Sequence, residues 1–406
     1  MKSTKYVLGA AVSALALTAG TTANAGSFAL KERSAKAQGL SFAGVTAGSG
    51  GLQSMGFNPA AIGTVAPGAG NAEMSGGLSL IAPISDGVVS NGTTVDADTL
   101  GFVANQYVGY RLDEEFLIGL AIYTPFGLAT SNKENATISN DGATSKLATI
   151  VIAPTIGYAP FPDLTLAASF NLTYVDARLT SSAFAVDGKT WDYSFSAGAL
   201  WNVTPSTTVG LAYQHGYDFE IPGTFTFAGG TFGAEADARL PSTVSLGVVQ
   251  ELTDDFRVMG EVQWQNWSVF DKIDINVPAI GLSQQDQQNY DDAFFVAIGG
   301  EYDVLNDLTV RVGAAWDQTP TNDDILAGQI NPGATNRTVR VPDEDRIWLS
   351  IGGTYEMNDH MSVDIGYSYL FALEDPVVGV RNAAPGTTVT YDGGAHIFSV
   401  GGSLKF

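Results

Sequence analysis

Apolar and polar residues alternate with a period of two along most of this chain. In 361–372, Met361, Val363, Ile365, Tyr367, Tyr369 and Phe371 share one face, opposite Ser362, Asp364, Gly366 and Ser368. In 308–317, Leu308, Val310, Val312, Ala314 and Trp316 oppose Thr309, Arg311, Gly313, Ala315 and Asp317. In 256–265, Phe256, Val258, Val262 and Trp264 oppose Arg257, Glu261, Gln263 and Gln265. Successive side chains of a strand point to opposite faces, so these runs are strands between two unlike environments. The pattern predicts strands near 70–82, 99–111, 115–124, 145–158, 164–178, 190–202, 206–217, 237–250, 256–270, 292–303, 308–318, 345–356, 361–372 and 395–406.

Soluble sandwiches alternate too, so the spacing has to decide. Short turns recur within 109–117, 157–166, 200–209, 251–256, 302–308 and 355–361, with Asp, Asn and Pro supplying tight-turn chemistry. Tyr or Trp stands just before most of them. Long polar stretches lie between, near 83–98, 125–143, 179–190, 218–236, 271–290, 319–343 and 373–393. Seven long loops interleaved with six short turns give fourteen strands, an even number, with both ends on the turn side. Short inner turns, long outer loops and aromatics at the interface are the outer-membrane barrel pattern. The last strand agrees: Phe398, Val400, Leu404 and Phe406 share one face, with Gly402 between them.

The opposite end places the chain in a compartment. Lys2 and Lys5 open it, Tyr6–Ala19 is mostly apolar, and Ala23-Asn24-Ala25 is a small-x-small cleavage site. Residues 1–25 therefore read as a secretory signal peptide, too short an apolar run for a bilayer span. No run of eighteen apolar residues follows. There is no Cys, hence no disulfide framework and no thiolate metal site. The net charge is −23, about −25 without Lys2 and Lys5, which argues against nucleic acid as a partner. Acidic outer loops account for it and also suit loose binding of divalent cations. His215, His360 and His396 fall on different strands or turns, with no nucleophile motif or metal-ligand cluster around them. No catalytic residue, metal or cofactor is expected, and the chain does not read as an enzyme.

Residues 26–69 precede the first strand and are rich in Gly and Ala. A barrel of fourteen strands leaves a channel unless something fills it, so this segment is expected to fold inward as a compact plug. The fold class is thus all-β: a 14-stranded antiparallel transmembrane β-barrel over 70–406 with an N-terminal plug.

Several residues carry a family resemblance: Phe28, Glu32, Ser34, Gly39, the Ala43-Gly44 pair, Asn58-Pro59-Ala60 and Pro125-Phe126-Gly127. With the segment Arg340-Val341-Pro342-Asp343-Glu344-Asp345-Arg346-Ile347-Trp348, the mature chain resembles the FadL-type transporters of long-chain fatty acids and hydrocarbons. The resemblance implies that outer loops catch a hydrophobic ligand and pass it to a lumenal pocket beside Phe28. The ligand then leaves sideways through the wall near an inward kink in the third strand. It would place Asn58, Pro59 and Ala60 beside that kink. Gly119 is the least hindered position for it, because glycine weakens strand pairing. The expected partners are long-chain fatty acids or aromatic hydrocarbons, with outer-membrane lipid and lipopolysaccharide around a monomer.

The physics of the cargo agrees with such a route. Each exposed CH₂ costs about 0.8 kcal/mol relative to an apolar site, so an apolar pocket with lateral release keeps the tail out of water. Phe225, Phe227, Phe232, Val277, Ile280 and Leu282 offer an apolar landing site on the loops, or ordinary loop packing. Arg311 and Arg346 have the parity to face the lumen and meet a carboxylate; for Arg346, pairing with Asp343 or Asp345 is the preferred reading. The alternatives are a general diffusion porin, which needs no plug, and an outer-membrane lipid-modifying enzyme, which needs a Ser–His pair on one wall.

Overall fold

The computed structural model of the protein describes residues 27–96 and 99–406; the expected signal peptide, 1–25, lies outside them. Fourteen antiparallel strands close into one barrel. In chain order they are β1 Ala72–Ile84, β2 Gly101–Arg111, β3 Phe116–Tyr123 with a second piece Gly127–Ser131, β4 Thr144–Phe161 and β5 Leu164–Thr180. β6 is Phe184–Thr204, β7 Thr207–Gln214 with a second piece Tyr217–Phe227, β8 Gly230–Leu240 with a second piece Thr243–Glu251, and β9 Phe256–Gln265. β10 Ala293–Leu305, β11 Leu308–Asp317, β12 Arg346–Asn358, β13 Met361–Ala372 and β14 Gly394–Lys405 complete the set. β14 returns to β1 in a register running from Glu73↔Lys405 to Ile84↔Gly394. Closure leaves no free sheet edge, which a bilayer core requires because it holds no water to satisfy the backbone.

The two faces are as unlike as the alternation predicts. Ile298, Val312, Ile365 and Val400 stand exposed on the outside, while Glu261, Arg311 and Asp364 are buried inside. Among the expected long loops, two are corrected. Residues 179–190 are largely strand, and 218–236 is a hairpin, the second piece of β7 against the first of β8. It turns at Ala228 and Gly229, both with positive φ, the backbone of a two-residue hairpin turn. These strand ends reach beyond the apolar band, where both faces accept polar residues, so their composition resembles that of loops. The stretch 271–290 likewise holds a hairpin, Lys272–Val277 with Leu282–Gln287.

Residues 27–62 are buried almost throughout and are enclosed by the barrel. Ser34 caps the short helix α1, Ala35–Gln38, by accepting from the Ala37 amide at 3.1 Å. Three 3₁₀ turns follow, Val45–Ala47, Gly51–Gly56 and Pro59–Thr64. Asn58 caps the last, with Pro59 at its first position, where the missing N–H costs nothing.

Side chains bond this segment to the wall on several sides. Glu261 of β9 accepts from the Thr46 amide at 3.1 Å, and Lys31 donates to Gln263 at 2.6 Å. Tyr107 of β2 donates to the Arg33 carbonyl at 2.7 Å, Gln38 to the Ile397 carbonyl of β14 at 3.1 Å, and Asn58 to the Ala199 carbonyl of β6 at 3.0 Å. Glycines stand where the backbones nearly touch. A Cβ at Gly210 would lie 1.9 Å from the Thr46 carbonyl oxygen, and one at Gly313 2.1 Å from the Leu40 carbonyl.

Candidate functional site

The third strand breaks at Thr124–Phe126. Pro125 has no N–H to give to a ladder, which is why a strand interrupts at such a residue. The lower piece of β3 pairs with β2 only from Gln106↔Ile122 to Arg111↔Leu117. The upper piece pairs with β4 alone, from Gly127↔Ala148 to Ser131↔Thr144. On the other flank, Gly101–Asn105 of β2 pair with β1 and not with β3. Among the described residues no ladder joins 103–105 of β2 to 127–131 of β3, which leaves a gap in the wall.

The N-terminal segment lies against this break as a short added strand. The Leu30 amide donates to the Pro125 carbonyl at 2.8 Å, and the Gly127 amide to the Phe28 carbonyl at 2.9 Å, with Ala29 opposite Phe126. Asn105, buried at the other rim, has no hydrogen-bond partner among the described residues for either side-chain polar atom.

Phe28 projects into a cavity with largely apolar walls, partly open to solvent. Its walls are Leu128 of β3, Leu147 of β4, Ala177 and Leu179 of β5, Phe219 and Ile221 of β7, and Ala236 and Leu240 of β8, closed by Phe270, Tyr290 and Val341 from the loops. Phe28 meets Trp267 edge-on at 4.8 Å, Phe270 at 5.4 Å and Phe126 at 6.2 Å. These are the geometries aromatic pairs prefer.

Cations rim the cavity. Lys146 and Arg178 are paired, with Asp176 at 3.2 Å and Asp187 at 3.3 Å. Arg340 has no ion pair among the described residues: its guanidinium donates to the Asp141 carbonyl at 2.8 Å, the Thr144 carbonyl at 3.2 Å and Ser145 Oγ at 3.1 Å. Burial lowers its pKa from the usual arginine value. Asp286 and Asp141 act on this guanidinium through space, without a direct ion pair.

The residues singled out from sequence scatter over this geometry. Phe28 is in the cavity. Arg346 is not; it is held by Asp343 at 3.0 Å and Asp317 at 3.5 Å. Asp345 instead accepts from Trp316 and the Thr319 amide. Arg311 is not there either, being committed to Glu301 at 2.8 Å and Thr354 at 2.6 Å.

Gly119 is regularly paired on both edges, with Gly109 and Thr155, so the kink expected there is corrected to Thr124–Phe126. It is glycine because Ile62 of the N-terminal segment packs on it: an added Cβ would sit 2.7 Å from Ile62 Cδ1. Asn58, Pro59 and Ala60 do not lie at the break; Asn58 anchors to β6, and a Cβ on Gly198 of that strand would collide with its side chain. Of the expected landing residues, Phe225, Phe232, Val277 and Leu282 pack into one cluster, leaving Phe227 and Ile280 exposed. Sequence reasoning did not single out Arg340 as a site residue and set the break at Gly119, although Pro125, directly after the predicted strand 115–124, was the signal for its true place.

A closed barrel with an apolar outer band, an enclosed N-terminal segment and an apolar cavity opening from one end is the architecture of a membrane barrel. The family model described as "Outer membrane protein transport protein (OMPP1/FadL/TodX)" matches residues 16–406. The chain belongs to that family, and its barrel is an outer-membrane barrel. Outer membrane protein P1 of Haemophilus influenzae is 25% identical over 309 residues, covering 73% of this chain but 62% of the relative. The long-chain fatty acid transport protein of Escherichia coli K12 is 22% identical over 342 residues, 70% of this chain and 74% of the relative. In structure, a Pseudomonas aeruginosa FadL homologue gives a TM-score of 0.77 at 20% identity, covering 93% of this chain and 99% of its own. The Pseudomonas putida toluene transporter TodX gives 0.72 at 15% identity, covering 92% and 98%. These two structures share the fold.

Proposed function

We propose that the protein carries long-chain fatty acids or similar hydrophobic compounds inward across the outer membrane, without chemical change to the cargo. The observation that carries this reading is the apolar cavity around Phe28 lying directly against the strand break that residues 28–30 cover. Outer loops collect the ligand, and the cavity takes its tail. Arg340 stands at the cavity wall to meet a carboxylate. When residues 28–30 leave the break, the ligand passes between 103–105 and 127–131 into the membrane. Residues 26–69 act as a plug that closes the axial route, so the protein does not work as a general diffusion porin. In this reading it acts as a monomer in a ring of outer-membrane lipid and lipopolysaccharide.

The test is uptake of radiolabelled oleate in a transporter-deficient strain. Ala104→Trp with Ala129→Trp fills the gap from its two rims and leaves the cavity intact. Uptake should fall while oleate binding to purified protein persists. Normal uptake at equal barrel abundance would refute lateral release.

A further inference from the structure

Two consecutive amides form the lower edge of the wall gap. β2 leaves its ladder with β3 at Gln106, opposite Ile122, and Asn105 is the next residue toward the gap. Successive side chains of a strand point to opposite faces. Val103 and Tyr107 are buried on the inner face, and Phe102 and Tyr110 are exposed on the outer one. Asn105 therefore points into the lumen and Gln106 toward lipid. Asn105 is 1% exposed, and neither of its side-chain polar atoms has a partner among the described residues. Gln106 is 6% exposed although it stands on the lipid-facing side, and its amide nitrogen meets the thioether of Met74 at 3.7 Å. A thioether is a weak acceptor, and hydrocarbon holds no water to take its place. Apolar residues at both positions would avoid the desolvation that these amides carry.

On the outer face the same residues open onto a groove. Gly76 of β1 and Gly402 of β14 stand directly opposite each other, and Gln106 lies opposite Gly76 on its other side. Gly300 and Gly353, which also face outward, are instead flanked by Val258, Val312, Val310 and Ile365. The paired glycines leave a groove of about 330 Å³, walled by Met74, Leu78, Val400 and Leu404. It reaches Ala104 and Asn105, so it is continuous with the gap.

We infer that Asn105 and Gln106 pass the polar head of a leaving fatty acid across the wall, while its chain settles in the Gly76–Gly402 groove. The groove is then a docking site for released cargo on the outside of the barrel. The inference rests on the transport reading above and adds to it a site in the membrane. A head group that enters hydrocarbon without a partner pays a large desolvation penalty; one amide on each face supplies a hydrogen bond at each stage. The apolar walls of the groove add little, because lipid tails are equally apolar. The bond to Gln106 is what holds the cargo there.

The experiment feeds palmitate with a diazirine on its chain to intact cells of a transporter-deficient strain that carry the protein. After irradiation the barrel is purified and the labelled residues are mapped by mass spectrometry. Label should appear in the lumen near Phe28, and at Met74, Leu78 and Leu404 above the level at Ile298, an exposed outward residue of β10. Gln106→Leu should lower the groove label about fivefold to tenfold, the worth of one hydrogen bond in hydrocarbon, and leave the lumenal label in place. Met74→Trp fills the groove without touching a ladder bond and should slow palmitate uptake, whereas Ile298→Trp should not. Groove label no higher than at Ile298, or unchanged in Gln106→Leu, overturns the inference, and lumenal label in the same sample keeps the transport reading. A diazirine-bearing phosphatidylethanolamine that labels the groove as strongly as palmitate also overturns it, since the occupant is then a resident membrane lipid. Absence of label in the lumen defeats the transport reading itself, and this inference falls with it.

Discussion

Replacing Gly210 and Gly313 by alanine tests whether the N-terminal segment is seated on the barrel wall. A methyl group at these positions would lie 1.9 Å from the Thr46 oxygen and 2.1 Å from the Leu40 carbonyl. Both neighbours are backbone and cannot rotate away, so the segment must recede by more than an ångström on two strands, β7 and β11. Overpacking of this kind costs about 1–3 kcal/mol per site. The two sites meet different parts of the segment, so their costs should add to about 2–6 kcal/mol. The lower end already shifts the seated population about thirtyfold. The barrel should not suffer, because neither change removes a ladder hydrogen bond and alanine is the less flexible residue. The double variant should therefore keep heat-modifiable gel mobility while its conductance in planar bilayers rises. Gly260→Ala is the control, since the nearest atom to its Cβ is 4.0 Å away. A double variant as tight and as stable as the parent would refute the close seating.

Deleting residues 26–69 should raise conductance without abolishing the β-type far-UV circular dichroism spectrum; a deletion variant that conducts no more than the intact protein would count against a plug. Arg346→Met should destabilise the outer end by about 3–5 kcal/mol, because Asp343 and Asp317 are left buried and unpaired; a lower temperature of barrel unfolding in detergent is the readout. Gly119→Leu should behave as a plug-displacing variant through its clash with Ile62, raising conductance, whereas a selective block of oleate uptake at parental conductance would return the exit to Gly119. Phe28→Ala removes an aromatic packed against Trp267 and Phe270; it should weaken oleate binding about tenfold or more and increase protease access to the N-terminal segment, both measured on the purified barrel.

Strand number, strand order and the two faces were legible in the sequence because each depends only on neighbours along the chain. Alternation over 361–372 reports lipid on one side and a polar interior on the other whatever lies beyond. The parity of Arg311 and Arg346 followed from the same rule, and both do face inward. Their chemistry did not follow, because whether a buried arginine is free depends on which acids the fold sets beside it. Arg346 received Asp343 and Asp317, the latter 29 positions away, while Arg340 received only carbonyls and a hydroxyl. The polar stretches 179–190 and 218–236 looked like loops because composition registers the solvent at a strand's end and not its backbone pairing. The strand break was legible in Pro125, but its cover was not. Residues 28–30 reach it only after the chain has folded back into the lumen, and a contact between 28 and 127 has no local pattern. Gly119, read as a hinge, is a seat for Ile62. A glycine that bends a strand and one that lets another backbone approach are the same letter, and only tertiary packing distinguishes them.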